Sequence, residues 1–91
     1  MSPKLRRETL SDGSFIEVSL DVIKIDQWRL HGFKYRVAWI QNDECRILFD
    51  NHHGKPDHFH VDECEFTYHF ESIEQLFIDF LNEIKKLGGV L

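Results

Sequence analysis

The C-terminal segment limits the fold more than any other feature. Ile73, Leu76, Phe77, Phe80, Leu81, Ile84 and Leu87 recur at three- and four-residue steps, which makes one continuous apolar helix face over residues 73–87. Ser72-Ile73-Glu74-Gln75 fits a capping box, in which the hydroxyl accepts from a first-turn amide while Gln75 reaches back. Lys85 and Lys86 suit the negative end of the helix dipole, and Gly88 supplies the C-cap. Such a helix must cover an apolar surface, and the preceding chain offers it as strands.

Asp12-Gly13 signals a turn, and in the strand predicted over Phe15–Ile25 the residues Ile16, Val18, Leu20 and Val22 alternate with Glu17, Ser19 and Asp21. His31-Gly32 ends a connection. Lys34–Ile40 is predicted as the next strand, with Tyr35, Val37 and Trp39 on one face, and Cys45–Asp50 as the one after it. The polar residues 41–44 read as a four-residue hairpin loop, which pairs Ile40 with Cys45 and sets Tyr35 across from Asp50. Both faces of this hairpin are partly apolar, so the pattern leaves the core face open. Asn51–Pro56 is a loop, because Asn, Gly and Pro each favour turns. Asp57–Val61 and Glu65–Phe70 are extended, with a turn at residues 62–64. The expected class is α+β: an antiparallel sheet of about four to five strands packed by one long C-terminal helix.

A length of 91 residues suits a single domain over 1–91, with 1–11 as a mobile N-terminal extension. No apolar run approaches the roughly 20 residues of a membrane span, and no apolar segment follows the basic start as in a signal peptide. A cytoplasmic protein is expected. Cys45 and Cys64 lack a CxxC spacing and read as reduced core thiols, with a single disulfide as the alternative. The formal charge of −5 argues against nucleic-acid binding through a global positive field. Eight of the eleven Lys and Arg residues nevertheless lie in the first half, so a local basic surface is available. Asp62, Glu63, Glu65, Glu71 and Glu74 crowd a short stretch of the second half, which suits a basic protein partner.

The segment Asp50-Asn51-His52-His53-Gly54-Lys55-Pro56-Asp57-His58-Phe59-His60 holds four of the six histidines. Residues two apart in a strand share a face, so His58 and His60 stand side by side while Phe59 and Val61 face the core. Two chemistries suit the pair. One imidazole acts as general base and the other as general acid on a phosphodiester, with Lys55 stabilising phosphate charge and Asp57 or Asp50 orienting an imidazole. That describes a metal-independent endoribonuclease. Alternatively His58 and His60 with Asp57, or with Asp50 or His53 in its place, chelate zinc or manganese, as a metal-binding domain or a metal-dependent nuclease. A third option is a non-catalytic module in which the loop and the acidic segment engage a partner. His31 reads as a loop residue, and Trp28 and Trp39 as packing residues.

The string Asp50-Asn51, then Gly54-Lys55-x-Asp57-His58-x-His60, then Glu65-x-x-Tyr68-x-Phe70, then Ser72-x-x-x-Leu76-x-x-Asp79-Phe80, resembles the TumE toxin family of toxin–antitoxin systems. Asp12-Gly13, Glu17 and Tyr35 extend the likeness upstream, so it spans about Asp12 to Ile84. The resemblance implies a growth-inhibiting toxin, and an antitoxin partner whose DNA-binding part is typically a helix-turn-helix. Together with the residue chemistry it makes RNA the expected substrate. Asp50, Asn51, His53, Tyr35 and Tyr68 are the expected binding or orienting residues. An edge strand, or the hairpin's second apolar face, would serve a homodimer. Where family members often carry Gly and Arg, this chain has Pro56 and Phe59, which stiffens the loop and removes a phosphate-binding charge.

Overall fold

A computed structural model describes residues 4–25, 27, 30–51 and 56–90. Six strands run as one antiparallel meander in sheet order β1-β2-β3-β4-β5-β6: β1 Lys4–Thr9, β2 Phe15–Val22, β3 Phe33–Gln41, β4 Glu44–Asp50, β5 His58–Val61 and β6 Cys64–Thr67. Helix α1, Ile73–Lys86, lies across one face. The α+β class is as expected, with six strands rather than four to five. The additional strand, β1, comes from the N-terminal segment, whose charged residues give no apolar alternation to detect. Charge is what an edge strand tolerates. Arg7 pairs with Glu17 across the ladder and lies over the Phe15 ring.

The β3–β4 hairpin decides which side chains meet the helix. Asn42 and Asp43 both take positive φ, 53° and 62°, which makes a two-residue turn between the paired residues Gln41 and Glu44. Asn and Asp tolerate that conformation better than other side chains. Ile40 pairs with Cys45 as expected, but the register then shifts and Trp39 pairs with Ile47, leaving Arg46 as an extra residue. Asp50 therefore stands across from Arg36, not Tyr35. A β-bulge of this kind reverses the facing of everything beyond it. Ile47 and Phe49 join Tyr35, Val37 and Trp39 on the helix side, while Asp50 goes to the other. Arg46 is held in place by Asp62: its guanidinium pairs with the carboxylate at 2.5 Å, and its carbonyl accepts from the Asp62 amide at 2.7 Å.

The buried core comprises those five sheet residues with Leu76, Phe80 and Ile84 of α1. Phe49 is its centre, stacked on Phe59 at 4.7 Å and meeting Phe80 edge-on at 6.0 Å. Trp39 is fully buried and donates its indole N–H to Ser14 Oγ at 3.0 Å. The helix begins at Ser72, whose hydroxyl accepts from the Gln75 amide, and ends before Gly88 at φ +81°. Gln75 does not complete a capping box; its side chain donates to Asp79 instead. Cys45 and Cys64 are free and exposed rather than core thiols. Cys45 lies beside the hairpin turn and Cys64 on the edge strand β6.

Phe80 has no exposed surface, so Phe80→Ala is expected to destabilise the fold by about 3–5 kcal/mol, the usual cost of a cavity left by a buried aromatic ring. Urea unfolding checks this through a lower midpoint at unchanged slope. A loss below about 1 kcal/mol would place the core elsewhere.

Candidate functional site

The sheet face away from the helix carries the histidine pair. Cross-strand pairing builds two rows there. One runs Ser19, Arg36, Asp50, His58 and Thr67; the next runs Glu17, Ala38, Leu48, His60 and Glu65. His58 and His60 are thus same-face neighbours, with ring centroids 5.1 Å apart and planes nearly perpendicular. Asp50 lies across from His58 and Glu65 across from His60.

The donor atoms converge. His58 Nε2 is 2.7 Å from Asp50 Oδ1 and 3.8 Å from Glu65 Oε1, and His60 Nε2 is 3.5 Å from the same Glu65 oxygen. One ligand atom from each of His58, His60 and Glu65 falls within 4.8 Å of the others. His58 is buried, His60 half-buried and Glu65 exposed, so the group opens outward from a fixed base. Beside it lies a cleft of about 240 Å³ lined by Pro56, Asp57, His58, Glu65, Phe66 and Thr67.

The tautomer of His58 follows from its neighbours. Its Nδ1 is 3.0 Å from the Pro56 carbonyl oxygen, which can only accept, so Nδ1 carries a proton. A neutral ring then turns its Nε2 lone pair toward two carboxylates. Such a ring satisfies both sides with a second proton, or with a cation shared between Nε2 and the carboxylate oxygens. Backbone support of the far ring nitrogen is the usual way to aim a metal-binding imidazole.

Asp57, expected to join His58 and His60, adjoins the cleft but turns its carboxylate to the helix side. Its carboxylate lies 2.9 and 3.2 Å from His31 Nε2, and one of its oxygens accepts from Asn51 Nδ2 at 3.3 Å. It is therefore not placed to ligate a metal with the two histidines; Glu65 occupies that position. Asn51 is wholly buried and bridges backbone: its Oδ1 accepts from Tyr35 N and its Nδ2 donates to Phe33 O. Tyr35 faces the core, and Tyr68 donates its hydroxyl to Asp79 at 2.6 Å. Lys55, His53 and His52, like Trp28, lie outside the described residues.

Phe59 faces the helix, stacked between Phe49 and Phe66. A charge at this position would sit on the side away from His58 and His60, so the phenylalanine removes nothing from their face. Sequence reasoning missed Glu65 and His31. Glu65 was detectable: a two-residue turn at Asp62-Glu63 sets it opposite His60. His31 reaches Asp57 across 26 residues, and no local pattern announces that contact.

A six-stranded antiparallel meander with a helix on one face and a His–His–carboxylate group on the other defines a small α+β protein with a candidate catalytic or metal-binding site. The family described as toxin TumE matches residues 3–87, nearly the whole chain. The chain belongs to that family, whose toxins act with antitoxin partners in toxin–antitoxin systems. Among curated proteins and among solved structures nothing matches. Among the described residues no helix is long and apolar enough to cross a membrane.

The two tyrosines give a pH test of this arrangement. Burial, reinforced by the Asp57 carboxylate, pushes the Tyr35 phenol far above its ordinary value. Burial, then the hydrogen bond to Asp79, also raises Tyr68. Folding thus favours the neutral phenols, and the stability they contribute is fully present below about pH 10 and lost as pH rises beyond it. In an absorbance titration the phenolate band is expected to stay absent through about pH 10 and to appear with unfolding at higher pH. A phenolate step near that value in the folded protein would contradict the burial of these rings.

Proposed function

We propose that this chain is the growth-inhibiting toxin of a toxin–antitoxin pair, and that its helix-free face holds a divalent metal used to cleave RNA. The observation that carries the reading is the convergence of His58 Nε2, His60 Nε2 and a Glu65 oxygen within 4.8 Å, with Asp50 beside them. Two imidazoles and a carboxylate suit zinc or manganese. Bound there, the metal supplies a water of lowered pKa and a counter-charge for phosphate oxygens.

The protein's own residues would do the remainder. His58 and His60 hold the metal, and the Pro56 carbonyl keeps the His58 ring aimed. Asp50, hard against His58 Nε2, is placed either to ligate or to take a proton from a nearby water. Arg36 is exposed and stands next to Asp50 in the same row, about 10 Å or two strand spacings from His58 between backbones. Its guanidinium is suited to a phosphate next to the metal. Lys34, also exposed, lies further along β3 on that face. An open sheet face with cations at one end and the metal group at the other accommodates an extended phosphodiester chain.

A metal-free exchange of protons between the two imidazoles is supported less well. The Nδ1–H of His58 is committed to the Pro56 carbonyl, and its Nε2 faces the Asp50 and Glu65 carboxylates at 2.7 and 3.8 Å, surroundings that suit a cation better than a bare anionic phosphate. The same reading places the toxin in the cytoplasm, with an antitoxin that carries a helix-turn-helix DNA-binding part.

Untagged protein is expected to contain about one zinc or manganese per chain, and tightly induced expression to arrest bacterial growth with fragmentation of RNA. Outer partners of a metal are commonly worth about 10–100-fold, so His60→Ala or Glu65→Ala should lower metal affinity and cleavage by at least about 100-fold. Cleavage that survives chelation and both substitutions would overturn the metal reading.

A further inference from the structure

The dipeptides Asp50-Asn51 and Asp57-His58 adjoin in sequence, yet each is split across the sheet. Asp50 and His58 point to the helix-free face; Asn51 and Asp57 point to the other. We infer that His31, Asp57 and Asn51 form a latch on the helix side, and that His31 and Asp57 are positioning residues for His58 and Asp50. The inference rests on the metal reading above and extends it to residues that never touch the metal.

The latch is anchored to one strand. The Phe33 amide donates to His31 Nδ1 at 3.1 Å, the Phe33 carbonyl accepts from Asn51 Nδ2 at 2.8 Å, and the Tyr35 amide donates to Asn51 Oδ1 at 2.9 Å. Each of these is a backbone group at the start of β3. Because Nδ1 of His31 accepts from an amide, Nε2 must carry the ring proton, and it donates to the Asp57 carboxylate at 2.9 Å. The Phe70 ring packs against the His31 ring, with centroids 3.9 Å apart and planes tilted by 31°. The Asp57 carbonyl in turn accepts from the Tyr68 amide at 3.1 Å. Asp57 is therefore held by its side chain on one flank and by its backbone on the other, one residue before His58.

The geometry has a consequence for the site. Asn51 and Asp57 bracket residues 52–55, and their mutual hydrogen bond brings the end of β4 to the start of β5. Asp50 and His58 are the next residues outward, and their 2.7 Å approach depends on that closure. Asp57 keeps only 8% side-chain exposure, so without the His31 donor its carboxylate would be buried among neutral groups alone, the Asn51 amide and the Tyr35 phenol. A carboxylate in that condition turns toward water. Turning it moves the peptide that carries His58. Metal sites tolerate little such movement, since ligand geometry is needed to within about 0.5 Å.

The test is His31→Phe, which keeps a ring against Phe70 and removes the donor, beside Asp57→Asn, which keeps an acceptor for His31. Cobalt(II) is titrated into each full-length protein at a temperature where thermal melts show it fully folded. The expected result is cobalt affinity weakened by about tenfold or more in His31→Phe, with an altered visible spectrum, and affinity within about twofold of the parent in Asp57→Asn. A purely structural role would lower the melting temperature of His31→Phe and leave affinity and spectrum unchanged, and that result overturns the inference. The ring ¹⁵N shifts of His58 in metal-free protein provide a readout independent of metal. If the parent binds no cobalt, the metal reading falls, while loss of the Nδ1–H signature of His58 in His31→Phe still supports the latch. An unchanged His58 signature rejects it.

Discussion

One extra residue in β4 sets what every later side chain in the sheet can do. The turn at Asn42-Asp43 pairs Ile40 with Cys45; continued without interruption, that register would place Asp50 across from Tyr35 beneath the helix and send Phe49 to the open face. A carboxylate against the core costs several kcal/mol unless it is paired. The bulge at Arg46 restores the match between apolar pattern and helix. It is secured through Asp62, whose carboxylate the Arg46 guanidinium holds below its usual range. Because β5 pairs with β4 and β6 with β5, the same shift brings Asp50, His58, His60 and Glu65 to one face.

The sheet then separates two kinds of chemistry. Below it, aromatic rings and α1 enclose an apolar core centred on Phe49. Above it, a group of imidazoles and carboxylates faces outward with Arg36 alongside. The start of β5 joins the two layers: His58 faces the open side, while the carboxylate of Asp57, just before the strand, meets His31 on the helix side. A charge-assisted hydrogen bond such as that between His31 and Asp57 is worth about 1.5–3 kcal/mol, enough to order the peptide that carries His58.

The elements with a strong period were legible in the chain. Helix α1 is evident from its apolar stripe, its Ser72 cap and Gly88, and period-two alternation alone sets His58 and His60 on one face. Features without local signature were not. β1 is a charged edge strand, visible only through its pairing with β2. The Arg46 bulge depends on matching two strands, and a single residue of shift moved Asp50 from Tyr35 to Arg36. Asp57 adjoins the histidine group in sequence but lies just outside β5, where hydrogen bonds from His31 and Asn51 hold its carboxylate on the helix side. The cysteines followed their strands, Cys64 on an edge and Cys45 by a turn, against the general tendency of thiols toward the core.

The central claim is that His58, His60 and Glu65 form one metal centre on the helix-free face. A crystal structure of the zinc-loaded protein, with the metal located by anomalous scattering, tests it most directly. Zinc is expected within about 2.0–2.2 Å of His58 Nε2, His60 Nε2 and a Glu65 oxygen, with Nδ1 of His58 still donating to Pro56. Zinc held at Cys45, Cys64 or elsewhere, with these three side chains left apart, would contradict it.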